Sequence, residues 1–200
     1  MNLRARITLG FIVVILIMLV ASGVIIWNQS LMQQSFSNLA ATIDLERYLL
    51  ECRRHEKNFL LRNDQSYVLI HRANYDSLTV RIALLRPEIT DPKIQAKLTE
   101  LKASLVEYQS IFTELATHPA AVIATDPILA ARLEQEVQKA RDSHDLIGQI
   151  RLLTTERFHL ASSVGHLVNI GSILVGILVA VIIAGFLTDK IIQFIDQDYV

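Results

Sequence analysis

Two long apolar runs, Ile7–Trp27 and Val164–Leu187, flank a middle stretch in which apolar positions recur in a 4-3 rhythm. Val168–Leu187 carries no charge, and only Asn169 and Ser172 in it are strongly polar. A helix needs about 20 mostly apolar residues to cross a bilayer core, so both runs are long enough. The competing reading is a buried core helix of a soluble domain. A domain of this size rarely holds two helices that are apolar all round. Gly171, Gly176 and Gly185 suit close packing on another helix, because small residues let backbones approach. The first run also has a signal-peptide reading, with Arg4 and Arg6 as basic residues and Ala21-Ser22-Gly23 as a weak cleavage site. Signal cores are shorter, about 7–15 residues. Val24, Ile25 and Ile26 carry the run on to Trp27, an interfacial anchor, which favours an uncleaved span.

Between the spans, breakers are few and fall where helices should end. Asn28 to Arg62 contains no glycine or proline, so helix 1 runs straight out of the first span until Asn63-Asp64. Helix 2 follows, with Asp64 able to cap it, and ends near Leu85 before Arg86-Pro87, since the residue before proline is pushed out of the helical region. Asp91-Pro92 and Asp126-Pro127 each pair a capping acceptor with proline at the first helical position, where its missing N–H costs nothing. They start helix 3 (92–116) and helix 4, which continues into the second span.

The 4-3 seams support these elements. On helix 3 the seam is Ile94, Leu98, Leu101, Leu105, Tyr108, Phe112 and Leu115. On helix 2 it is Val68, His71, Tyr75, Leu78, Ile82 and Leu85. On helix 4 it is Leu129, Leu133, Val137, Ala140, His144, Ile147, Arg151, Thr154 and Phe158. Four helices with short links and a 3.5-residue seam predict an all-α fold, an antiparallel up-down-up-down four-helix bundle flanked by two transmembrane helices. Helices 1 and 4 are long and continuous with the spans. The expected division is a cytoplasmic N-terminus (1–6), spans at 7–27 and 164–187, an outer domain at 28–163 and a cytoplasmic segment from 188 to 200.

Charge orients this arrangement. Arg4 and Arg6 precede the first span, and basic residues near a span end stay cytoplasmic, which puts 28–163 outside. With 19 Lys and Arg against 20 Asp and Glu there is no strong basic field, so nucleic acid is not expected as a partner. Cys52 alone excludes an intrachain disulfide and a cysteine-based zinc cluster; the lone thiol is expected to be buried, the alternative being a link between two chains. Helices 1 and 4 have about 35 outer residues each, and helices 2 and 3 only about 23–25, too short at 1.5 Å per residue to cover the lower turns. Met32, Phe36, Leu39, Leu153, Phe158 and Leu160 would then lie partly bare, and exposed apolar stripes mark interfaces. A homodimer closed by helices 1 and 4 of two subunits is the expectation.

Helix 1 carries the unusual chemistry. Its seam reads Met32, Phe36, Leu39, Ile43, Glu46, Leu50, Arg53, Lys57 and Leu60, with three charges at positions that are elsewhere apolar. Equal helical rise places Arg53 opposite roughly 137–141 of helix 4, and near Arg72, Tyr75, Asp76, Glu107 and Tyr108. One reading is an anion pocket, since arginine's planar fork suits a carboxylate and pockets form between bundle helices. The candidate ligand-binding residues are then Arg53, Arg54, Lys57, Arg72 and Tyr75. The other reading is a polar layer in which Glu46, Glu51, Glu56, Asp76 and Glu107 neutralise the cations and set helix register. His71 and His144 read as packed core histidines. Asn169 and His166 read as groups that bond across the spans or sit at the membrane interface. No metal, cofactor or catalytic constellation is visible.

The stretch Arg53-Arg54-His55-Glu56-Lys57-Asn58-Phe59-Leu60-Leu61-Arg62-Asn63-Asp64-Gln65-Ser66-Tyr67, with Tyr108 and Phe112 on helix 3, resembles the extracytoplasmic four-helix-bundle sensor domains of bacterial chemotaxis receptors and sensor histidine kinases, including the helical bimodular type. The resemblance covers about residues 30–163 and the flanking spans. It implies a dimeric, two-pass inner-membrane receptor that binds a small anionic or amino-acid ligand outside. Such receptors signal by shifting helix 4 and the second span towards a cytoplasmic output domain or signalling partner. Residues 188–200, amphipathic through Ile191, Ile192, Phe194 and Ile195, lack the proline expected early in a HAMP relay module. They are too short for an output domain, so the expectation is the sensory part of a larger receptor, with a free-standing membrane module as the alternative. The rival expectation is a membrane adaptor that docks a protein partner and takes no small ligand.

Overall fold

A computed structural model describes residues 3–198, with side chains from Thr8 to Phe186 and at Thr188, Asp189 and Ile192. The basic pair before the first run, Arg4 and Arg6, and Lys190, Ile191, Phe194 and Ile195 have side chains outside the described residues. Every regular element among the described residues is helical: α1 (Leu3–Arg62), α2 (Ser66–Leu85), a 3-10 turn (Arg86–Glu88), α3 (Pro92–Leu115), α4 (Ala120–Thr125) and α5 (Pro127–Asp198). The chain forms two compact units, one from 1–34 with 159–200 and the other from 35–158.

The helix boundaries follow local chemistry. Asn63 adopts a left-handed φ of 53°, a conformation asparagine tolerates better than most residues, and its N–H still bonds Phe59 O at 2.7 Å to close α1. Asp64 Oδ1 accepts from the Ser66 N–H at 2.8 Å at the start of α2. Asp91 Oδ1 accepts from Lys93 N–H, and Asp126 Oδ1 from Ile128 N–H, each at 2.8 Å, so both Asp-Pro pairs start helices as expected. The short α4 is an element the sequence reading left as a link. Ala120 N–H donates to Asn63 Oδ1 at 3.0 Å and Gln65 Nε2 donates to Ala116 O at 3.2 Å, so the link is pinned to the α1–α2 turn, while Ile123 is buried in the apolar core.

Within 35–158 the core has two apolar halves. Leu45 and Leu49 of α1, Leu78 and Ile82 of α2, Leu98 to Leu105 of α3, and Ile147 and Ile150 of α5 form one half. Phe59, Ile111, Phe112, Leu115, Ile123 and Leu129 form the other. Cys52, Tyr108 and Ala140 make a small third group, which falls between the two halves along α3. On α2 and α3 the buried residues are those of the 4-3 seams together with Ile111, and Val68 and Tyr75 are only partly covered.

The seams of α1 and α5 differ from the sequence reading. On α1 the buried line is Thr42, Leu45, Leu49, Cys52, Glu56 and Phe59, one residue before each position assigned from the pattern. Ile43 and Leu50 face outward, Glu46 is half-buried, and Lys57 is exposed. A one-residue slip turns a helix by about 100°. The buried line carries a single charge, Glu56, where the assigned line carries three, and desolvation favours the former. On α5 the buried line is Leu129, Leu133 (in part), Glu136, Ala140, Ser143, Ile147, Ile150 and Thr154. His144 and Arg151 are exposed, and Val137 is half-buried, so His144 is not the packed core histidine expected from the pattern. Glu136 and Ser143 replace Val137 and His144 because each has a polar partner on another helix: Arg53 for Glu136, and Ser104 Oγ at 2.9 Å for Ser143.

In the other unit, two helices are long and apolar enough to cross a membrane by length and composition. Asn28 Nδ2 donates to Gly165 O at 2.9 Å and to Asn169 Oδ1 at 3.0 Å, so Asn169 bonds across the two helices as expected. Gly165 is the close approach: a Cβ there would lie 2.9 Å from Asn28 Nδ2. Gly171, Gly176 and Gly185, the glycines expected to mediate close packing, have no atom of the described residues within 4 Å of where a Cβ would stand, so they make no close approach of the kind seen at Gly165.

Candidate functional site: a buried charged layer

Between the two apolar halves, α1 contributes Arg53 and Glu56 from one helical turn, because i and i+3 lie on one face. Glu136 of α5 and Tyr108 of α3 reach the same point. Arg53 Nη1 donates to Glu136 Oε1 at 2.9 Å and Oε2 at 2.8 Å, and the same nitrogen bonds Glu56 Oε2. Tyr108 Oη donates to Glu56 Oε2 at 3.0 Å, and His71 Nε2 lies 2.8 Å from Tyr108 Oη. Glu136, Tyr108 and His71 are each 0% exposed, and Glu56 is 1% exposed. The His71 ring lies 3.9 Å from that of Phe112, which roofs the layer towards the second apolar half.

The hydrogen-bond direction can be worked out from the donors available. Tyr108 has one hydroxyl proton, and it goes to the Glu56 carboxylate. His71 must then donate from Nε2, leaving Nδ1 as a bare acceptor, and Nδ1 is buried without a hydrogen-bond partner. A second proton on His71 is disfavoured: burial, then the charges of His55 and Arg53, push its pKa down to about 3. Burial, then Glu56 and Glu136, push the Tyr108 hydroxyl well above its usual value. Burial works against the Arg53 charge, but Glu56 and Glu136 outweigh it and hold the guanidinium protonated. Cys52, which donates weakly to His71 O at 3.7 Å, is raised to about 12 by burial and Glu56, so it stays an inert thiol.

One guanidinium facing two buried carboxyls leaves a surplus negative charge. Burial, then a hydrogen bond to Glu56 and its charge, raise Glu136 to about 9, with Arg53 opposing. A proton held between the two carboxyls removes the surplus. Because the folded pKa lies above the ordinary 4.5, this group's contribution to stability is fully present below about 4.5. It is lost as pH rises towards about 9.

The five sequence-derived site residues divide. Arg53 stands in the layer, committed to two carboxylates. Tyr75 is half-buried against Cys52, Tyr108 and Ala140, and burial followed by Asp76 raises its hydroxyl pKa. Arg54 is exposed and pairs with Glu51 at 2.7 Å. Lys57 and Arg72 are exposed and form no ion pair among the described residues. Of the proposed neutralising acids, Glu56 and Glu51 pair with this cationic stretch, whereas Glu46 pairs with Arg151 and Glu107 with Lys139. Glu136 was missed. Its signal was present, since Arg53 faces this level of α5 and Glu136 lies on the alternative 4-3 line through Leu133 and Ala140.

Among the described residues, no group of three or more His, Cys, Asp or Glu is placed to hold a metal ion. An open groove of about 390 Å³ beside α5 is lined by Glu46, His144, Asp145, Gly148, Gln149, Arg151 and Leu152. Comparison with known protein families, characterised proteins and solved structures finds no match for this chain.

Proposed function

We propose that this chain is the input module of a membrane signalling receptor: a two-pass protein of the bacterial inner membrane whose helical domain lies outside as an up-down-up-down bundle. The observation that carries this reading is where the charged layer sits in the chain. Its three ionic members, Arg53, Glu56 and Glu136, belong to α1 and α5, and those are also the helices that contain the two apolar segments. A small axial shift of α5 against α1, typically about 1–2 Å in such devices, would strain those bonds, which makes the layer a place where an outside event can be coupled to a span.

The ligand in this reading is a small carboxylate or amino acid. Arg53 is already engaged, so a ligand held there would have to displace a glutamate. Lys57 and Arg72 are open to solvent, form no ion pair among the described residues, and are the better first contacts. The test is a thermal-shift screen of the full chain in detergent micelles against small carboxylates, amino acids and inorganic anions, with Lys57→Ala and Arg72→Ala alongside. A ligand at 100 times its dissociation constant adds about 2.7 kcal/mol, a shift of several degrees. A shift abolished by either substitution supports the receptor. No shift with any compound turns the reading to the adaptor.

Dimerisation is part of the same proposal. Phe36 (61% exposed), Ile43 and Leu50 recur every seven residues on the outward face of α1, and the Phe158 ring stands 6.3 Å from that of Phe36. In a Cys52→Ser background, cysteine at Phe36 or Phe158 is expected to crosslink two subunits on mild oxidation. Absence of crosslinking at both sites, and at the neighbouring turns, would remove this interface. The same exposed stripe is what favours the adaptor as second reading, with a partner protein in place of the second subunit.

A further inference from the structure

We propose that the Glu56–Glu136 carboxyl pair under Arg53 is a proton-binding switch between α1 and α5, closed while one proton is shared and opened when that proton leaves. The geometry supplies the reason. Both carboxyls, themselves buried, converge on one nitrogen of one guanidinium that is 19% exposed, with Phe112 against His71 on one side and Cys52 and Ala140 clustered with Tyr108 on another. With the proton in place the layer is neutral, and every carboxyl oxygen that bonds Arg53 can do so without facing a like charge. Without it, two buried carboxylates from different helices share one positive charge in a low-dielectric setting, and their repulsion acts to part α5 from α1.

No other facing group can absorb the change. From α1 the layer is faced by Arg53, Glu56, Cys52 and His55, from α2 by His71 and Tyr75, from α3 by Tyr108, and from α5 by Glu136. Arg53 is permanently charged, and Cys52, Tyr75 and Tyr108 keep their protons through the alkaline range for the reasons given above. His71 has its free nitrogen buried and is held neutral. His55 lies towards Glu51 at 3.6 Å and stacks on Tyr67, off the carboxyl pair. Of the nearby surface charges, Arg54 pairs with Glu51 and Lys139 with Glu107, while Lys57 and Arg72 face solvent. The exchange is a simple one: the proton passes from the carboxyl pair to solvent base, and no covalent bond is made. The inference concerns the layer alone and stands or falls independently of the receptor reading.

Infrared spectroscopy of the full chain in micelles tests it, with Glu136→Gln and Glu56→Gln as controls that fix one carboxyl in neutral form. The expected result is a protonated-carboxyl band in the wild type near neutral pH that disappears as pH rises through about 9 and is absent from Glu136→Gln. Amide hydrogen exchange, corrected for its intrinsic pH dependence, should speed up about tenfold in residues 50–58 and 133–140 over the same range. In either glutamine variant it should not change. Absence of the neutral-pH band in the wild type, or exchange in a folded glutamine variant that follows pH as the wild type does, overturns the switch. Should neither variant fold, the wild-type band and its loss with pH still decide.

Discussion

Arg53→Ala is expected to destabilise the helical unit by about 3–5 kcal/mol, the largest single polar effect in the chain, because it leaves two buried carboxyls without a counter-charge. Chemical denaturation of the full chain in micelles would measure it. The loss should be smaller at pH 5 than at pH 8, since a bound proton does part of what the guanidinium does, and acid favours proton binding. Glu136→Leu combined with Arg53→Met and Glu56→Gln should recover much of the loss. The apolar pair removes the buried charges, and the glutamine keeps an oxygen for the Tyr108 hydroxyl. A loss under about 1 kcal/mol for Arg53→Ala would mean that water reaches the layer, and it would remove the basis for both the ionic coupling of α1 to α5 and the proton switch.

The second large effect separates two adjacent leucines. Leu49 is 1% exposed and Leu50 is 54% exposed. Leu49→Ala opens a cavity among Leu45, Leu78 and their neighbours and is expected to cost about 2–5 kcal/mol. Leu50→Ala removes a side chain from an outward face and is expected to stay within about 0.5 kcal/mol for a single subunit. Measured together, the two variants establish the rotation of α1 about its axis. Equal costs, or a larger cost at Leu50, would return the core to the line Ile43, Leu50 and Lys57. A concentration-dependent loss at Leu50 alone would instead place it at a contact between subunits.

These two predictions also separate what the pattern of residues could and could not reveal. The helices of the central unit were legible, together with their ends at Asn63, Asp91 and Asp126, because proline and a capping carboxylate act within a few residues. The seams of α2 and α3 were legible too, since each offers only one apolar line. On α1 two lines compete, and the one with more large apolar residues is not the buried one. Ile43 and Leu50 drew the pattern to the wrong face, while the line that is buried carries the polar Thr42 and the charged Glu56. On α5 the choice between Val137 and Glu136, and between His144 and Ser143, turned on partners supplied by other helices. The small helix α4 escaped notice because six residues with one apolar anchor carry too little periodicity.

Arg53 was identifiable from the sequence as a charge in an unusual place, but its partner and its role were not. Sequence by itself determined that this protein is helical and that two of its segments are long and apolar enough to cross a membrane. Those properties depend on local backbone preference and on summed apolar length, both of which are written along one dimension. Only the tertiary structure decided which face of α1 is inside, that Glu136 meets Glu56 at Arg53, and that Tyr108 and His71 complete the polar layer. A charge is tolerated in a core only with its partners in place, and those partners lie 83 residues away for Glu136 and 52 for Tyr108.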